Sequence, residues 1–180
     1  MPQDNGFVFW ICGLSGAGKS TVAAALVADL RQRSIPVLAL DGDSVRGGLC
    51  AGLGFSDGDR AENLRRAAEV ARLAADSGLC VVASFITPLE ANRQRIREIV
   101  GIDRLALIFA AAPLDVCRRR DIKGLYAKAG AGLMPQMTGI TSPFEQPETP
   151  DLVLDTATES PADSGMKLID FSRDRLGRLR

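Results

Sequence analysis

The chain has 180 residues, 46% hydrophobic and 24% charged, with lysine plus arginine and aspartate plus glutamate at 22 each. That length and balance suit one soluble globular domain, spanning 1–180, with a core of its own. A net charge of zero gives no global field toward nucleic acid or membrane, so neither is expected as a partner, and an anion site must come from a few placed residues.

The chain holds no histidine, and Cys12, Cys50, Cys80 and Cys117 form no CxxC pair, which argues against a structural zinc site. Free thiols at this frequency suit a reducing compartment, and the polar Met1–Gly6 start does not read as a signal peptide, so a cytoplasmic location is expected. The longest apolar run, Leu105–Ala112, has eight residues, against ~20 for a membrane span. Without histidine, any general base must be a carboxylate or a lysine.

In chain order, Phe7–Cys12 reads as a buried strand, Gly13–Gly18 as a glycine-rich turn, and Lys19–Gln32 as a helix with Val22, Leu26, Val27 and Leu30 on one face. Val37–Leu40 is a second strand ending at Asp41. Residues 42–58 hold six glycines and read as a long functional loop. Asp59–Asp76 is an alanine-rich amphipathic helix closed by Gly78. Then come a strand over Leu79–Phe85, a polar helix over Glu90–Val100, a strand over Arg104–Ala111 and a short helix over Pro113–Arg120. Residues 121–150 are rich in glycine and proline and read as a lid or binding loop. Leu152–Leu154 is a last strand and Pro161–Leu176 a last helix. Alternating strands and helices predict an α/β fold, a parallel sheet covered by helices on both faces.

Gly13-Leu14-Ser15-Gly16-Ala17-Gly18-Lys19-Ser20 fits the phosphate-loop pattern GxxxxGK[ST], with Thr21 next. Glycines let backbone N–H groups turn toward a phosphate, and the following helix directs its positive end at the same anion. Lys19 would reach the β/γ oxygens of ATP, and the Ser20 hydroxyl would ligate Mg²⁺. The strand before and the helix after supply the context the motif requires. Asp41-Gly42-Asp43 follows the second strand, where ligands sit in open α/β sheets. Those carboxylates could take an acceptor proton and hold metal-bound water, or they could be turn residues.

Longer strings resemble the adenylyl-sulfate (APS) kinase family. They are GLSGAGKST (Gly13–Thr21), DGDSVRGGL (Asp41–Leu49), LGFSDGDRAENLRRAAEVARL (Leu53–Leu73), SFITP (Ser84–Pro88), DIKGLY (Asp121–Tyr126) and TGITSPFEQPETPDLVLDT (Thr138–Thr156). The resemblance spans roughly residues 7–156. It implies a phosphate-loop NTPase-type sheet of about five strands, a mobile lid near 121–150, a homodimer, and phosphorylation of the APS ribose 3′-hydroxyl by ATP to give PAPS. It also implies Asp43 as the base and Asp41 with Ser20 at the Mg²⁺. Arg46, Arg60 and Asn63 would grip the nucleotide, with Phe55 stacking on its adenine. Ser84, Phe85 and Ile86 would line the pocket, and Lys123 would belong to the lid. Thr87 stands where some bacterial members carry a serine linked with a phosphoenzyme.

The chain departs from the family pattern at Ser44 for Asn, Gly47 for His, Gly130 for Arg, Pro135 for Lys, Met137 for an aromatic and Thr141 for Asp. These changes cluster in the acceptor half. They leave open a relative acting on another nucleotide, such as a cytidine diphosphoramidate, and a non-catalytic nucleotide-binding module is a third reading. Glu62, Arg65, Arg66, Glu69 and Arg72 have the spacing of solvated helix-face pairs. One of Arg118, Arg119 and Arg120 is expected at the ATP site.

Overall fold

A computed structural model describes residues 6–177. Five strands form one parallel sheet: β1 Val8–Cys12, β2 Val37–Asp41, β3 Cys80–Ser84, β4 Leu105–Ala110 and β5 Leu152–Leu154, in the order β2-β3-β1-β4-β5. Side chains alternate across β1 because successive Cβ atoms point to opposite faces. Phe7, Phe9 and Ile11 enter one core, shared with Val22, Leu26 and Leu30 of α1 (Lys19–Gln32) and Leu168 of α7 (Pro161–Gly177). Val8, Trp10 and Cys12 enter the other, with Leu64, Ala67 and Ala71 of α3 (Asp57–Asp76) and Ile96 of α4 (Glu90–Val100). Each such Leu or Ile buried in full stabilises the fold by roughly 1.5–3 kcal/mol.

The sequence boundaries of α1, α4 and β5 coincide with the observed ones. Three expectations need correction. Residues 42–58 are not loop throughout, because α2 (Gly42–Gly47) opens the segment. Its glycines give no helical signal; Asp41 starts it by accepting the Asp43 N–H at 3.0 Å. The alanine-rich helix α3 begins two residues early, where Ser56 caps it by accepting the Asp59 N–H at 3.1 Å. Finally, the lid segment contains a helix, α6 (Leu125–Gly130), after α5 (Leu114–Arg120). Asp121 creates α6 by accepting the Tyr126 and Ala127 N–H groups at 3.0 and 2.9 Å.

The return of the lid segment to the sheet is tied down by a buried charge. The Arg93 side chain is fully buried, donating to Glu90 Oε2 at 2.9 Å, to the Pro88 carbonyl at 3.3 Å and to the Glu145 carbonyl. Glu145 answers by accepting the Glu90 N–H at 2.6 Å. Three segments, 85–88, α4 and 144–149, therefore share one ion.

Candidate active site

β1 is the central strand, so the turn that leaves it opens in the middle of the carboxyl edge of the sheet, where the crevice of an open α/β fold lies. Gly13 begins that turn at φ +147°, and a Cβ there would lie 2.6 Å from the Ala110 carbonyl oxygen. Only glycine fits. Gly18 has φ +87° and leads into α1, so the first N–H groups of the helix face the crevice. Lys19 folds back to donate to the Leu14 carbonyl at 2.7 Å. Burial lowers its pKa to about 8.

Asp41, at the end of β2, accepts from Ser20 Oγ at 3.0 Å and from Ser84 Oγ at 2.8 Å on one oxygen, and from the Asp43 N–H on the other. Partial burial raises its pKa, but these three hydrogen bonds outweigh it and hold the carboxyl below the usual range. Asp43 is exposed in the first turn of α2 and forms an ion pair with Lys123, just before α6. These groups line one open cavity of about 600 Å³ that also reaches Arg46, Phe55, Arg60, Asn63, Phe85, Ile86, Thr87 and Met137.

In the acceptor half, Arg46 donates to the Gly54 carbonyl at 2.9 Å and lies 4.4 Å over the Phe55 ring, which is 54% exposed. Arg60 donates to the carbonyls of Phe55 at 2.8 Å and Gln136 at 2.6 Å and to Thr138 Oγ1 at 2.5 Å, joining α3 to residues 136–138. Burial, then the neighbouring Arg46, lower its pKa. Asn63 is buried and borders the cavity, and among the described residues its Nδ2 has no partner. A buried unpaired donor costs free energy unless a ligand or water satisfies it. Met137 is 4% exposed and belongs to the α1-side core as well as to the cavity wall. Thr87 is 1% exposed, and its Oγ1 accepts the Trp10 indole N–H at 2.9 Å.

Every residue singled out in the sequence for acceptor, base or metal contact borders one cavity, together with Ser15, Gly16 and 18–21 of the phosphate loop, whereas Gly13, Leu14 and Ala17 are buried and do not line it. Of the arginine triplet, Arg120 reaches the phosphate loop, donating to Thr156 O at 2.6 Å and lying 3.5 Å from Gly16 O, while Arg119 pairs with Asp115 on the surface. The α3 charges form the expected helix-face pairs, Arg65 and Arg66 on Glu62 and Arg72 on Glu69. Sequence reasoning missed Tyr126, whose hydroxyl donates to the Ser15 carbonyl at 2.8 Å, together with Trp10 and Arg93. Tyr126 lies inside DIKGLY but pairs with a residue 111 positions away, so no local spacing marks it.

A phosphate loop at the centre of a parallel sheet, with a carboxylate paired to a lysine beside it, defines a phosphate-loop kinase. The chain belongs to the adenylylsulphate kinase family, whose model matches residues 5–155. An adenylyl-sulfate kinase of Enterobacter sp. (strain 638) is 54% identical over 150 residues, 83% of this chain and 75% of that protein. One from Acaryochloris marina is 44% identical over 168 residues, 93% of this chain and 82% of that one. The solved Mycobacterium tuberculosis APS kinase CysC in complex with AMPPNP and APS superposes with a TM-score of 0.88 at 43% identity, covering 94% of this chain and 98% of that one.

Proposed function

We propose that this kinase transfers the γ-phosphoryl group of ATP to the ribose 3′-hydroxyl of APS, giving PAPS. The observation that carries the reading is the single cavity in which the phosphate loop and the Arg46–Phe55–Arg60–Asn63 set meet at Asp43. Its likeness to a relative solved with AMPPNP and APS supports the same pair of substrates. In this reading Gly13–Thr21 cradle the ATP phosphates, and Lys19 leaves the Leu14 carbonyl for the β/γ oxygens. Asp43 accepts the proton of the attacking hydroxyl. Lys123, already paired with Asp43, stands where it can swing to the transferred phosphoryl group.

The donor set of Ser20 and Asp41 fits Mg²⁺. A hydroxyl and one carboxylate lie 3.0 Å apart beside the phosphate loop, and no cluster of three His, Cys, Asp or Glu occurs among the described residues. Magnesium commonly keeps several waters and is held by one or two protein oxygens plus substrate phosphates. When bound, the ion supplies neutralisation of phosphate charge.

On the acceptor side, Arg46 and Arg60 face the phosphosulfate anion, the unpaired Asn63 Nδ2 donates to the nucleotide, and Phe55 and Met137 flank its base. Ser84, Phe85, Ile86 and Thr87 form the remaining wall. The whole works as one kinase unit with residues 121–150 as its lid. The homodimer is carried by the family resemblance alone, and size-exclusion with light scattering tests it. The cytoplasmic setting rests on four free thiols.

The deciding experiment incubates purified protein, ATP and Mg²⁺ with a panel of acceptors, including APS and a cytidine diphosphoramidate. APS is expected to give the highest kcat/KM with PAPS as product. A second nucleotide turned over more efficiently, or no PAPS, overturns the proposal.

A further inference from the structure

Trp10 is the chain's single tryptophan and has no exposed surface, so it touches neither ATP nor acceptor. It is nevertheless bound to the acceptor wall at two points. Its ring stacks on Phe85 with centroids 5.0 Å apart and planes 18° from parallel, and Phe85 borders the cavity. Its indole N–H donates to Thr87 Oγ1 at 2.9 Å, with both residues buried.

Thr87 is in an unusual state. Among the described residues, the non-glycine residues well inside the left-handed region are Ser34 and Thr87. Ser34 sits in an exposed turn after α1, whereas Thr87 is buried at φ +46°. A β-branched residue in that region is a genuine outlier, and such strain persists only where surrounding contacts over-determine it. Those contacts come from β1. The pairing of β1 with β3 continues past the strand ends, as Phe85 N–H donates to Ile11 O at 3.0 Å and Gly13 N–H to Ile86 O at 3.2 Å. The indole–hydroxyl bond is the next link outward. Gly13 thus belongs to the phosphate loop and also holds the acceptor wall.

We propose that Trp10 is a positioning residue for the acceptor: its indole N–H locks Thr87 in the left-handed conformation and so sets Ser84–Thr87 against the acceptor nucleotide. The proposal rests on the acceptor chamber described under Proposed function. In this role the Thr87 hydroxyl is one half of a closed pair, and receiving a phosphoryl group would require it to leave the indole.

The test is a double-mutant cycle in steady-state kinetics. Trp10→Phe keeps a ring against Phe85 and deletes the donor, and Thr87→Val deletes the acceptor at nearly constant shape. Each is expected to raise the acceptor KM about tenfold, within the range for leaving one buried polar group unpaired, with the ATP KM changed less than about twofold. The double variant is expected to be no worse than the weaker single, because neither polar group is then stranded. An ATP KM that rises in step, or single effects that multiply in the double, overturns the proposal. The wild-type rate with APS judges the proposed reaction separately, since the cycle is run on whichever nucleotide acceptor the wild-type protein turns over. Should circular dichroism show a variant unfolded, the emission of the lone tryptophan in wild-type protein decides. A saturable change on titration with that acceptor plus ADP is expected, and an unchanged spectrum with the acceptor bound by equilibrium dialysis overturns the positioning role.

Discussion

Asp43 and Lys123 stand 80 residues apart and meet as an ion pair above the phosphate loop. That meeting engages one carboxylate oxygen, Oδ2, and places a cation beside the group proposed as the base. Asp43→Asn is expected to lower kcat by about 10²–10⁴-fold while the ATP dissociation constant shifts by less than about threefold. Equal losses in both would mark Asp43 as a structural turn residue. Lys19 carries a second residue-level consequence. Burial lowers its pKa from 10.5 to about 8, so between those values the folded protein binds fewer protons at this site than the unfolded chain. From this group alone, stability of the free protein therefore rises as pH climbs from about 8 to 10.5. ATP phosphates favour the charged amine and reverse the shift. Calorimetry at pH 9 in two buffers of different ionisation enthalpy is expected to show nearly one proton taken up on ATP binding, and almost none at pH 7. No linkage at pH 9, or linkage retained in Lys19→Ala, contradicts the assignment. The Lys19, Ser20, Asp41 and Asp43 set was legible because each follows a strand at fixed spacing. The left-handed Thr87 and the Lys123–Asp43 pair were not, because both depend on contacts far along the chain.

At the scale of elements, α1 was readable from periodicity and α4 as a polar helical segment, both of which depend on their own residues. Helices α2 and α6 were not, being six residues each and held by Asp41 and Asp121 rather than by propensity. The lid departures divide in the structure. Gly130 and Pro135, where the resemblance implies cations, lie in or just after α6, whereas Met137 is a core residue and Thr141 Oγ1 accepts the Met137 N–H at 2.8 Å. Restoring an aromatic at 137 has two opposed effects. A ring pair near a base adds about 0.5–1.5 kcal/mol, but overpacking a site only 4% exposed costs about 1–3 kcal/mol. The cost falls on folding and lowers the melting temperature, while a side chain only 4% exposed offers little face to the base, so Met137→Phe is expected to leave APS affinity unimproved. A clear tightening, with stability unchanged, would show room that the wall lacks. Ser56→Ala, which removes the α3 cap, is expected to cost about 1 kcal/mol in urea unfolding. No measurable loss would mean that tertiary packing alone sets the start of α3.

For the molecule as a whole, the parallel sheet was legible from alternating strands and helices, but its order was not, since no spacing states which strand neighbours which. Arg93 shows why long-range polar contacts escape a sequence reading. In a polar helix it looks solvated, yet its side chain has no exposed surface and holds 85–88 and 144–149 together. Arg93→Met removes the nearer cation from the buried Glu90 and frees 144–149 from α4, and is expected to cost about 3–5 kcal/mol in urea unfolding. A loss below about 1 kcal/mol would show that Arg97, which also reaches Glu90 at 3.5 Å, suffices.

The four cysteines, unpaired and buried, turn this architecture into a set of local clocks. Cys12 lies in the central strand, Cys50 between α2 and α3, Cys80 at the start of β3, and Cys117 in α5 under the phosphate loop. Burial pushes the Cys12 thiol up to about 11 and those of Cys80 and Cys117 upward as well, which slows attack on alkylating reagents. Each thiol then reacts only as fast as its own neighbourhood breathes. Timed alkylation read by mass spectrometry thus measures the opening of four regions in one unmodified chain. A non-hydrolysable ATP analogue is expected to slow Cys117, whose backbone carbonyl lies 3.0 Å from where a Gly16 Cβ would sit, more than Cys80, which stands at the amino end of β3, opposite the edge that carries the loop.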